Sequence, residues 1–470
     1  MSVDWSKEHV HIMGIGGAGM SAIARLLRAR GARVSGDDRT ESATVSALRA
    51  EGMAISIGHD PAHLSDVTIL APSSAVPADE PELVAARAQG LRVWHRGDLL
   101  QALIADHFTI AVAGTHGKST TSAMVATILD AAGFDPSFII GATPLNFGTN
   151  ARAGNGNLFV LEADEYDRTF LRFFPHLAVV TNIEFDHPDT FRDFDDLLAC
   201  FVSFVEQLPA DGALVVCAED AGCAELLRRA RPRAPVIEYG FQRGTWQAQH
   251  AQPNPLGGMD FVFRGASTSG PVEGHCSLRV GGEHNVLNAL AALVVADLCG
   301  VPSDQATQAL SSYQGASRRF ELRGEAGGVR VIDDYAHHPT EIKATLRAAR
   351  LRYPVARIWA IWEPHTYSRT QALLADFAVA FADADRVVVL PIYAARESSR
   401  SSAEDMNPTY LARRLQHKHV FSAASFGDAL GVLLSRVRPG DVVITLSAGN
   451  GNQVGERLLE TLRLAHTSTK

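Results

Sequence analysis

Short apolar runs alternate with amphipathic helical stretches along most of the chain. In the N-terminal part this pattern predicts strands at 11–15, 33–35, 67–71 and 92–95, and helices at 18–30, 43–49 and 80–89. Strands that alternate with helices of this length are typical of parallel βαβ units in a doubly wound sheet. We therefore expect a Rossmann-like domain over residues 1–106.

The same alternation begins again at the apolar run 108–113 and at a helix that opens near Lys118. Further strands are predicted at 158–161, 177–181 and 213–217. Between 239 and 282, Gly, Pro, Ser and Asn break the pattern into short pieces that indicate an antiparallel excursion, and a long apolar-faced helix is predicted at 284–298. These elements predict a central domain over residues 107–322.

A third alternating unit has predicted strands at 329–332, 358–361, 387–390 and 442–445. It predicts a second Rossmann-like α/β domain over residues 323–470. The expected fold is therefore α/β with three domains, which agrees with a length of 470 residues at about 150 residues per domain.

The composition of the chain argues against nucleic acid and membranes as binding partners. The net charge is −9, from 43 basic and 52 acidic residues, so the chain lacks the excess positive field that general binding to nucleic acid or anionic membranes requires. No apolar run approaches the ~18 residues of a membrane helix, and no signal peptide is visible. The five cysteines include no C-x-x-C pair, which favours reduced thiols and a cytoplasmic location.

A phosphate-binding loop follows the predicted strand 108–113. Gly114 and Gly117 allow the backbone to approach an oxyanion, and the helix that follows adds partial positive charge at its N-terminus. Lys118 can reach the β- and γ-phosphates of ATP, and the Ser119 hydroxyl is placed to bind Mg²⁺. The spacing is the shorter G-T-x-G-K-S-T form, because Val112 stands where G-x-x-x-x-G-K-[ST] has its first glycine. We therefore expect a P-loop ATPase-like central domain.

A second glycine loop, Gly14-Ile-Gly-Gly-Ala-Gly-Met-Ser, lies between the first predicted strand and helix. Asp37 and Asp38 follow about twenty residues later, where a dinucleotide-binding fold places a ribose-binding acid. Any diphosphate can use this geometry, including that of a UDP-sugar. Because an ATP loop is already assigned, we favour a diphosphate substrate here over NAD, and a tight turn without a ligand stays open.

Polar clusters follow several other predicted strands. Glu162 lies in the acidic run 161–167 and is a candidate ligand for Mg²⁺, which prefers few carboxylates together with phosphate oxygens and water. His187 ends the run 182–187 and could bind a second Mg²⁺ or contact phosphate, although a structural histidine fits equally well. Further clusters occur at 282–288, 317–320, 333–340 and 364–369. Together they predict an active site in a cleft between domains.

The chain resembles the Mur ligase family. The resemblance rests on G-T-H-G-K-S-T, E-A-D-E-x-D, H-N-x-x-N, R-R-F, D-D-Y-A-H-H-P-T-E and P-H-x-Y-S-R-T, in this order. The opening G-I-G-G-x-G-M-S and the Ser-Ser-Ala-Val run at 73–76 are similar to the UDP-binding domain of that family. The resemblance implies that ATP phosphorylates the carboxylate of UDP-N-acetylmuramate to an acyl phosphate. The amino group of L-alanine then attacks and phosphate leaves, in peptidoglycan precursor synthesis.

The resemblance also implies roles for individual residues, with ATP and Mg²⁺ as cofactors, and a monomer or homodimer as the assembly. The catalytic residues would be Lys118, His187, His337 and Arg369. ATP would be bound by Gly114, Thr115, His116, Gly117, Lys118, Ser119, Thr120, His284, Asn285, Asn288, Arg319 and Asp333. Metal ions would be held by Ser119, Glu162 and His187. The substrates would contact Gly16, Gly17, Gly19, Met20, Ser21, Asp38, His59, Ser73, Ser74, Tyr335, His337, His365 and Arg369.

Three features depart from the family pattern. Thr366 stands where an arginine is common, so one expected cation is missing. The run Ser447-Ala-Gly-Asn-Gly-Asn replaces a G-A-G-D-type loop. No lysine occurs between Lys118 and Lys343, so the central domain cannot supply the carbamoylated lysine of some sister ligases, and we predict no carbamate ligand.

Three alternatives remain. The nearest is the recycling ligase that adds a ready-made tripeptide to the same nucleotide sugar, although its loop resembles P-R-S-x-T-S-R rather than the P-H-T-Y-S-R at 364–369. A more distant one is an NAD-dependent oxidoreductase that uses the first glycine loop. The third is a non-enzymatic module that binds ATP and forms no product.

Overall fold

The computed structural model describes residues 3–267, 270–395, 397 and 406–467. These residues form three α/β units, each built on its own sheet. The predicted three-domain α/β fold is therefore confirmed. None of the helices in the described ranges combines the length and apolar character that crossing a membrane requires.

The first sheet has five parallel strands in the order β3-β2-β1-β4-β5. Its strands are β1 (His9–Met13), β2 (Arg33–Asp38), β3 (Ala54–Ile57), β4 (Ile69–Pro72) and β5 (Arg92–Val93). Its helices are α1 (Ala18–Ala29), α2 (Ala43–Ala50), α3 (Pro81–Ala88) and α4 (Arg96–Ile104), with short 3-10 helices at Trp5–Lys7 and Pro61–Leu64. The strand order reverses beside β1, so the first glycine loop lies at the switch point where open α/β sheets bind ligands.

Three elements of this unit differ from the sequence prediction. β3 and α4 were not predicted, and the strand expected at 92–95 ends at Val93. His95 instead caps α4, because its Nδ1 accepts a hydrogen bond of 3.0 Å from the Gly97 N–H.

The second sheet has ten strands in the order β15-β14-β13-β12-β11-β10-β6-β9-β7-β8. These strands are β6 (Phe108–Ala113), β7 (Ser137–Ile139), β8 (Ala151–Arg152), β9 (Leu158–Glu162), β10 (Leu177–Val180), β11 (Ala213–Cys217), β12 (Val236–Gly240), β13 (Trp246–Pro253), β14 (Met259–Ser267) and β15 (Gly270–Ser277). Its helices are α5 (Lys118–Ala131), α6 (Phe194–Val205), α7 (Ala221–Arg229), α8 (Glu283–Leu298) and α9 (Ser303–Ser311), with a 3-10 segment at Tyr166–Arg172. β13, β14 and β15 pair antiparallel, which confirms the excursion predicted between 239 and 282.

The third sheet has six strands in the order β16-β17-β21-β18-β19-β20. These strands are β16 (Glu321–Ala326), β17 (Val329–Asp334), β18 (Ile358–Trp362), β19 (Arg386–Val389), β20 (Val420–Ser422) and β21 (Val442–Leu446). Its helices are α10 (Pro339–Arg352), α11 (Tyr367–Ala372), α12 (Leu374–Ala378), α13 (Pro408–Arg414), α14 (Phe426–Leu434) and α15 (Asn452–Thr467). β16 was not predicted; it is an edge strand that pairs antiparallel with β17.

The strand ends of the second and third sheets face each other. The loop after β10 meets the segment after β18 through the ion pair between Asp186 and Arg369, and the loop after β6 meets α10, which follows β17, through His116 and Glu341. The first unit reaches the same region through Arg96, whose guanidinium lies 3.5 Å from Asp164. A site at this junction can therefore draw on all three units.

Candidate active site

The phosphate loop joins β6 to α5 in a conformation that needs glycine. Gly117 caps α5 with φ of +81°, in the left-handed region. Gly114 also has positive φ, and a Cβ there would lie 2.1 Å from Thr181 Oγ1. The Asn182 side chain accepts a hydrogen bond of 2.8 Å from the His116 N–H. The loop is thus fixed on the end of β10, with the N-terminus of α5 directed at any bound anion.

Lys118 begins α5 and turns back over the loop. Its Nζ donates to the carbonyl oxygens of Gly114, at 2.5 Å, and Thr115, at 3.2 Å, and it lies 2.8 Å from Glu165 Oε2. Burial alone would lower the pKa of Lys118, but the negative charges of Glu165 and Asp164 outweigh it and raise that pKa. Lys118 is therefore a fixed cation at the mouth of the phosphate loop.

Ser119 and Glu162 lie side by side behind this lysine. The Ser119 hydroxyl donates a hydrogen bond of 3.0 Å to Glu162 Oε1. The second oxygen of Glu162 accepts a hydrogen bond of 2.5 Å from the Gly141 N–H, which orients the carboxylate. These two predicted metal ligands come from different elements, α5 and β9, and the fold brings them together.

The third predicted metal ligand, His187, lies in a neighbouring cluster with Asp164 and Glu165. One ligand atom from each of the three lies within 4.8 Å of the other two. His187 Nε2 is 3.7 Å from Glu165 Oε1, so Glu165 contacts both His187 and Lys118. His187 has φ of +56°, an uncommon conformation that a functional constraint often accompanies.

Arg369 enters from the third unit and is almost fully buried. Its Nε donates a hydrogen bond of 2.6 Å to Asp186 Oδ1, and its two terminal nitrogens lie 2.6 Å from His365 Nδ1 and 3.4 Å from His187 Nδ1. Burial would raise the pKa of Asp186, but the charges of His187 and Arg369 hold it well below the usual range. The pair is therefore ionised, and it fixes the third unit against the second.

His337 and His365 are held as neutral rings. Burial lowers the pKa of His337 to about 4 and that of His365 to about 3, and the charge of Arg369 also acts in this direction. Their rings meet edge to face with centroids 5.5 Å apart. His337 Nδ1 lies 2.9 Å from the Tyr335 carbonyl oxygen. The pocket beside Arg369 is therefore lined by polar groups that carry no positive charge of their own.

A cavity of about 520 Å³ lies between the second and third units and opens on the phosphate loop. This volume falls within the range of small-molecule sites. The predicted ATP-binding residues that line it are His116, Gly117, Thr120, His284, Asn285, Asn288 and Arg319. Its apolar part includes Leu145, Leu287, Tyr313, Phe320 and Leu322. Burial, together with the charge of Arg319, lowers the pKa of His284 to about 4.

His116 connects the loop to the third unit. Its ring nitrogens lie 2.9 Å from Glu184 Oε2 and 3.2 Å from Glu341 Oε1. Burial alone would lower its pKa, but these two carboxylates raise the pKa of His116 to about 9. Neither glutamate was singled out from the sequence, although each stands within or directly beside a polar cluster that was.

Asp333 and the loop at 447–452 are joined by hydrogen bonds beside the cleft. Arg318 donates to Asp333 Oδ2 at 3.1 Å and to the Ser447 carbonyl oxygen at 2.7 Å, and Thr445 donates to Asp333 Oδ1 at 2.7 Å. Asp333 does not line the cavity described above, whereas its neighbour Asp334 does. The Ser447 hydroxyl donates to buried Glu363. An ATP-binding role for Asp333 stays a prediction.

Thr366, the residue found where an arginine is common, caps α11. Its side chain accepts a hydrogen bond of 3.4 Å from the Arg369 N–H. Thr366 therefore helps to position the helix that carries Arg369.

The first glycine loop lies against the end of β2. The Gly16 N–H donates a hydrogen bond of 2.9 Å to Asp38 Oδ2, and a Cβ at Gly14 would lie 3.0 Å from Ser73 Cβ. Met20 and Ser21 are buried in α1, and Gly17 caps that helix. Asp37 is fully buried and lies 2.7 Å from His59 Nδ1. Of the two acids that the sequence offered for a ribose, Asp38 contacts the loop through its side chain, whereas Asp37 contacts it through its backbone carbonyl oxygen and turns its side chain to His59.

Four further charged residues belong to the cleft and were not predicted individually. They are Asp164, Glu165, Asp186 and Arg96. The first three stand inside the acidic runs that were noticed, and the requirement for a counter-ion beside Lys118 or Arg369 was the available signal. Arg96 gave no local signal, because its partner Asp164 is distant in sequence.

Three family models match successive parts of the chain: the Mur ligase family catalytic domain over 9–108, the Mur ligase middle domain over 112–296, and the Mur ligase glutamate ligase domain over 318–449. This chain belongs to the Mur ligase family. Of the curated relatives of this Mur ligase, the UDP-N-acetylmuramate–L-alanine ligase of Kineococcus radiotolerans is 45% identical over 466 residues, which cover 96% of either chain.

Two solved structures are similar to this Mur ligase over nearly its whole length. The UDP-N-acetylmuramate-alanine ligase MurC of Thermotoga maritima is 27% identical with a TM-score of 0.81, covering 98% of this chain and 100% of the other. A murein peptide ligase of Psychrobacter arcticus is also 27% identical, with a TM-score of 0.75, covering 97% and 99%.

Proposed function

We propose that this Mur ligase joins L-alanine to the carboxylate of UDP-N-acetylmuramate, with cleavage of ATP to ADP and phosphate, in the synthesis of peptidoglycan precursors. The observation that carries the proposal is a continuous line of contacts across the cleft. Lys118 contacts Glu165, Glu165 contacts His187, and His187 contacts Arg369. The line connects the phosphate loop to the third unit, where a nucleotide and an acid substrate can meet.

The proposed reaction has two steps, which take place beside this row of contacts. An oxygen of the substrate carboxylate attacks the γ-phosphorus of ATP, and the bond to ADP breaks. The amino nitrogen of L-alanine then attacks the carbonyl carbon of the acyl phosphate, and phosphate leaves. Both steps develop negative charge on oxygen, which fixed cations stabilise without any enzyme nucleophile. Lys118 is placed for the transferred phosphoryl group, and Arg369 for the carboxylate and the leaving phosphate.

The neutral histidines suit an amino-acid substrate. L-alanine approaches as an ammonium ion and must lose a proton before its nitrogen can attack. His337 and His365, with pKa values lowered by burial to about 4 and about 3, do not repel that charge at neutral pH. The nearby carboxylates of Asp186 and Glu341 attract it. We propose that Tyr335, His337, His365 and Arg369 form the pocket in which the amino acid and the acyl group meet.

Mg²⁺ fits the donors that Ser119 and Glu162 provide. Two neighbouring ligands of an octahedral Mg²⁺, each about 2.1 Å from the ion, lie about 3.0 Å apart. The two oxygens of Ser119 and Glu162 are 3.0 Å apart, and both are hard donors. When bound, the ion would neutralise charge on the phosphate oxygens. His187, with Asp164 and Glu165, offers a second group of donors.

The first unit would bind the UDP part of the substrate. We propose that Gly16, Gly17, Gly19, Met20 and Ser21 form the diphosphate loop, with Asp38, His59, Ser73 and Ser74 around it. We also propose domain limits of 1–106, 107–322 and 323–470, a monomeric or homodimeric assembly, and a cytoplasmic location, where ATP and UDP-sugars are available.

A release assay for ADP tests the proposal. Purified protein is supplied with ATP, Mg²⁺ and UDP-N-acetylmuramate, and then with L-alanine, glycine, L-serine or the tripeptide in separate reactions. We expect ADP release and a ligated product with L-alanine, and weaker turnover with the other amino acids, since one small group is worth about 1–3 kcal/mol of discrimination. Turnover with the tripeptide alone would replace the proposal by the recycling reaction. Nicotinamide absorbance changes without ADP release would indicate an oxidoreductase.

A further inference from the structure

The first unit contains a buried cluster of polar side chains that the ligase reaction does not use. His11 on β1, Asp37 on β2, His63 in the 3-10 helix Pro61–Leu64 and Glu82 in the first turn of α3 each offer one ligand atom, and these four atoms all lie within 4.8 Å of one another. The side chains of His11, Asp37 and Glu82 are between 0% and 3% exposed, whereas His63 is 21% exposed. The cluster therefore lies inside the unit with one ring at the surface.

The spacing of the donors matches a tetrahedral metal ion. Donors about 2.0–2.1 Å from a tetrahedral ion lie about 3.3–3.4 Å from one another. His11 Nε2 is 3.3 Å from Asp37 Oδ2 and 3.2 Å from Glu82 Oε1, and His63 Nδ1 is 3.3 Å from Asp37 Oδ2 and 3.7 Å from Glu82 Oε2. Glu82 presents Oε1 to His11 and Oε2 to His63, so two imidazoles and two carboxylates from separate elements enclose one small central position.

Glu82 provides an independent sign that a ligand belongs there. Its side chain is fully buried, and its Oε1 accepts no hydrogen bond from the residues that the structure describes. His11 Nε2 is close enough for an ion pair, but it is not aligned for a hydrogen bond to this oxygen. A buried carboxylate oxygen without a donor is costly, and buried charges are normally paired or coordinate metals.

Three of the four side chains are also held by partners outside the cluster. His11 Nδ1 is 2.8 Å from Ser35 Oγ, Asp37 Oδ1 is 2.7 Å from His59 Nδ1, and Glu82 Oε2 accepts a hydrogen bond of 2.9 Å from the Asp60 N–H. Metal-binding sites use such contacts to fix the tautomer of histidine and the orientation of carboxylates. The remaining donors are left directed at one another.

The apolar core beside this cluster is small, so a bound ion would add to the stability of the unit. On the sheet face that α3 covers, the separate apolar cluster consists of Met13, Leu64, Leu70, Leu83 and Ala86, with a few partly buried neighbours. A core of that size stabilises little. An ion bound by four elements would hold β1, β2, the 3-10 helix and α3 together, because metal binding free energy becomes folding free energy when the unfolded chain lacks the site.

We propose that His11, Asp37, His63 and Glu82 bind one structural divalent transition-metal ion of the zinc class. The two imidazoles and two carboxylates form a borderline donor set that suits Zn²⁺ and is closed to substrate. The site lies apart from the Mg²⁺ donors of the cleft, and none of its four ligands has a role in the proposed reaction. Its outer partner His59 is one of the residues proposed to surround the UDP part of the substrate.

The experiment measures Zn²⁺ bound per chain in tag-free full-length protein, with Mg²⁺ in excess to saturate oxygen-rich sites. The key variant is His63→Gln, because His63 is the most exposed ligand and its loss should leave the fold intact. The matched control is His419→Gln, which alters an exposed histidine in the third unit. We expect wild type and His419→Gln to bind one more Zn²⁺ per chain than His63→Gln. Histidines and carboxylates of the cleft remain in all three proteins, so they do not affect the difference.

Co²⁺ reports the geometry in the same proteins. We expect the intense visible bands of tetrahedral Co²⁺ in wild type and His419→Gln, and their loss in His63→Gln. Ser35→Ala removes the outer partner of His11 Nδ1, together with the contact of Ser35 Oγ to His9 Nε2, and should weaken Zn²⁺ binding by roughly 10–100-fold. Equal Zn²⁺ content in wild type and His63→Gln, or a six-coordinate Co²⁺ spectrum in wild type, would overturn the proposal. The cluster would then be a hydrogen-bond network in which its imidazoles and carboxylates share protons.

Discussion

Replacing Lys118 by methionine separates its role in the fold from its role in catalysis. In the structure its Nζ lies 2.8 Å from Glu165, and the two side chains are 13% and 2% exposed. Methionine keeps the length and apolar stem of lysine but removes the charge. Glu165 then stays buried beside Asp164 without its main counter-ion.

The expected loss of stability follows from this burial. Breaking a buried ion pair by removal of one partner costs about 3–5 kcal/mol. In a unit of the size of the central one, a loss of 1 kcal/mol lowers the midpoint of thermal unfolding by about 2–4 °C, so the fall should be roughly 6–20 °C. Burial raises the pKa of Glu165, so this carboxyl should take up a proton in the variant as the pH falls. The stability deficit relative to wild type should therefore shrink at lower pH.

The assay pairs thermal unfolding with ADP release, and it adds Glu165→Gln alone and the double variant Lys118→Met/Glu165→Gln. Lys118→Met should lower ADP formation by roughly 10³-fold or more, since it removes the cation that we propose for the transferred phosphoryl group. The double variant contains no unpaired buried charge, so it should regain most of the lost stability and none of the activity. Glu165→Gln serves as the control for the effect of the glutamine itself.

Two results would refute this reasoning. If the double variant recovered ADP formation together with stability, Lys118 would act by balancing Glu165 and not by stabilising the phosphoryl group. If Lys118→Met kept the activity of wild type, the phosphate loop would not be the site of ATP cleavage.

Three further predictions concern the rest of the cleft. Arg369→Lys should lower kcat/KM for L-alanine by about 10²-fold, because one ammonium cannot contact Asp186, His365 and His187 together; unchanged kinetics would contradict this role. Because burial lowers the pKa of His365 to about 3, the unfolded chain gains a proton between about pH 6.5 and 3 that the folded chain does not, and stability falls as the pH drops through this window. His365→Asn should flatten that fall by up to about 1.4 kcal/mol per pH unit in unfolding experiments, and an unchanged slope would argue against a neutral ring. Glu162→Gln should raise the Mg²⁺ concentration needed for half-maximal ADP release about tenfold, with the unfolding midpoint nearly unchanged; an equal requirement would remove Glu162 from the metal site.

Local sequence patterns were sufficient to predict a structural feature where one short continuous segment forms it. The phosphate loop was predictable, because strand, glycines, Lys118 and helix follow one another directly. α4 was missed since its cap is His95 rather than one of the usual Ser, Thr, Asp or Asn caps. β16 was missed for a different reason. It is an edge strand with mostly exposed or partly exposed side chains, so it has no alternation to read, and pairing with β17 creates it.

The partners inside the cleft could not be predicted in the same way. Arg369 and Asp186 are 183 residues apart, and Lys118 and Glu165 are 47 apart. No periodicity relates such pairs, because it is the meeting of the second and third sheets that sets them together. From the sequence we could predict that carboxylates must balance the charges of these cations. We could not predict which of the several acidic residues would lie beside each cation.

The balance of charge around Lys118 limits how ATP can enter. Lys118 is surrounded by Glu162, Asp164 and Glu165, and the charges of all three act to raise its pKa. Two unit charges 4 Å apart near a protein surface interact by about 4 kcal/mol, so a bare triphosphate would meet more repulsion from the carboxylates than attraction from one lysine. In the proposed reaction, these carboxylates would therefore weaken binding of the nucleotide alone and favour its complex with a divalent cation. We expect Lys118 then to exchange Glu165 and its own loop carbonyls for the γ-phosphate, so the Lys118–Glu165 pair is the contact that nucleotide binding would have to break.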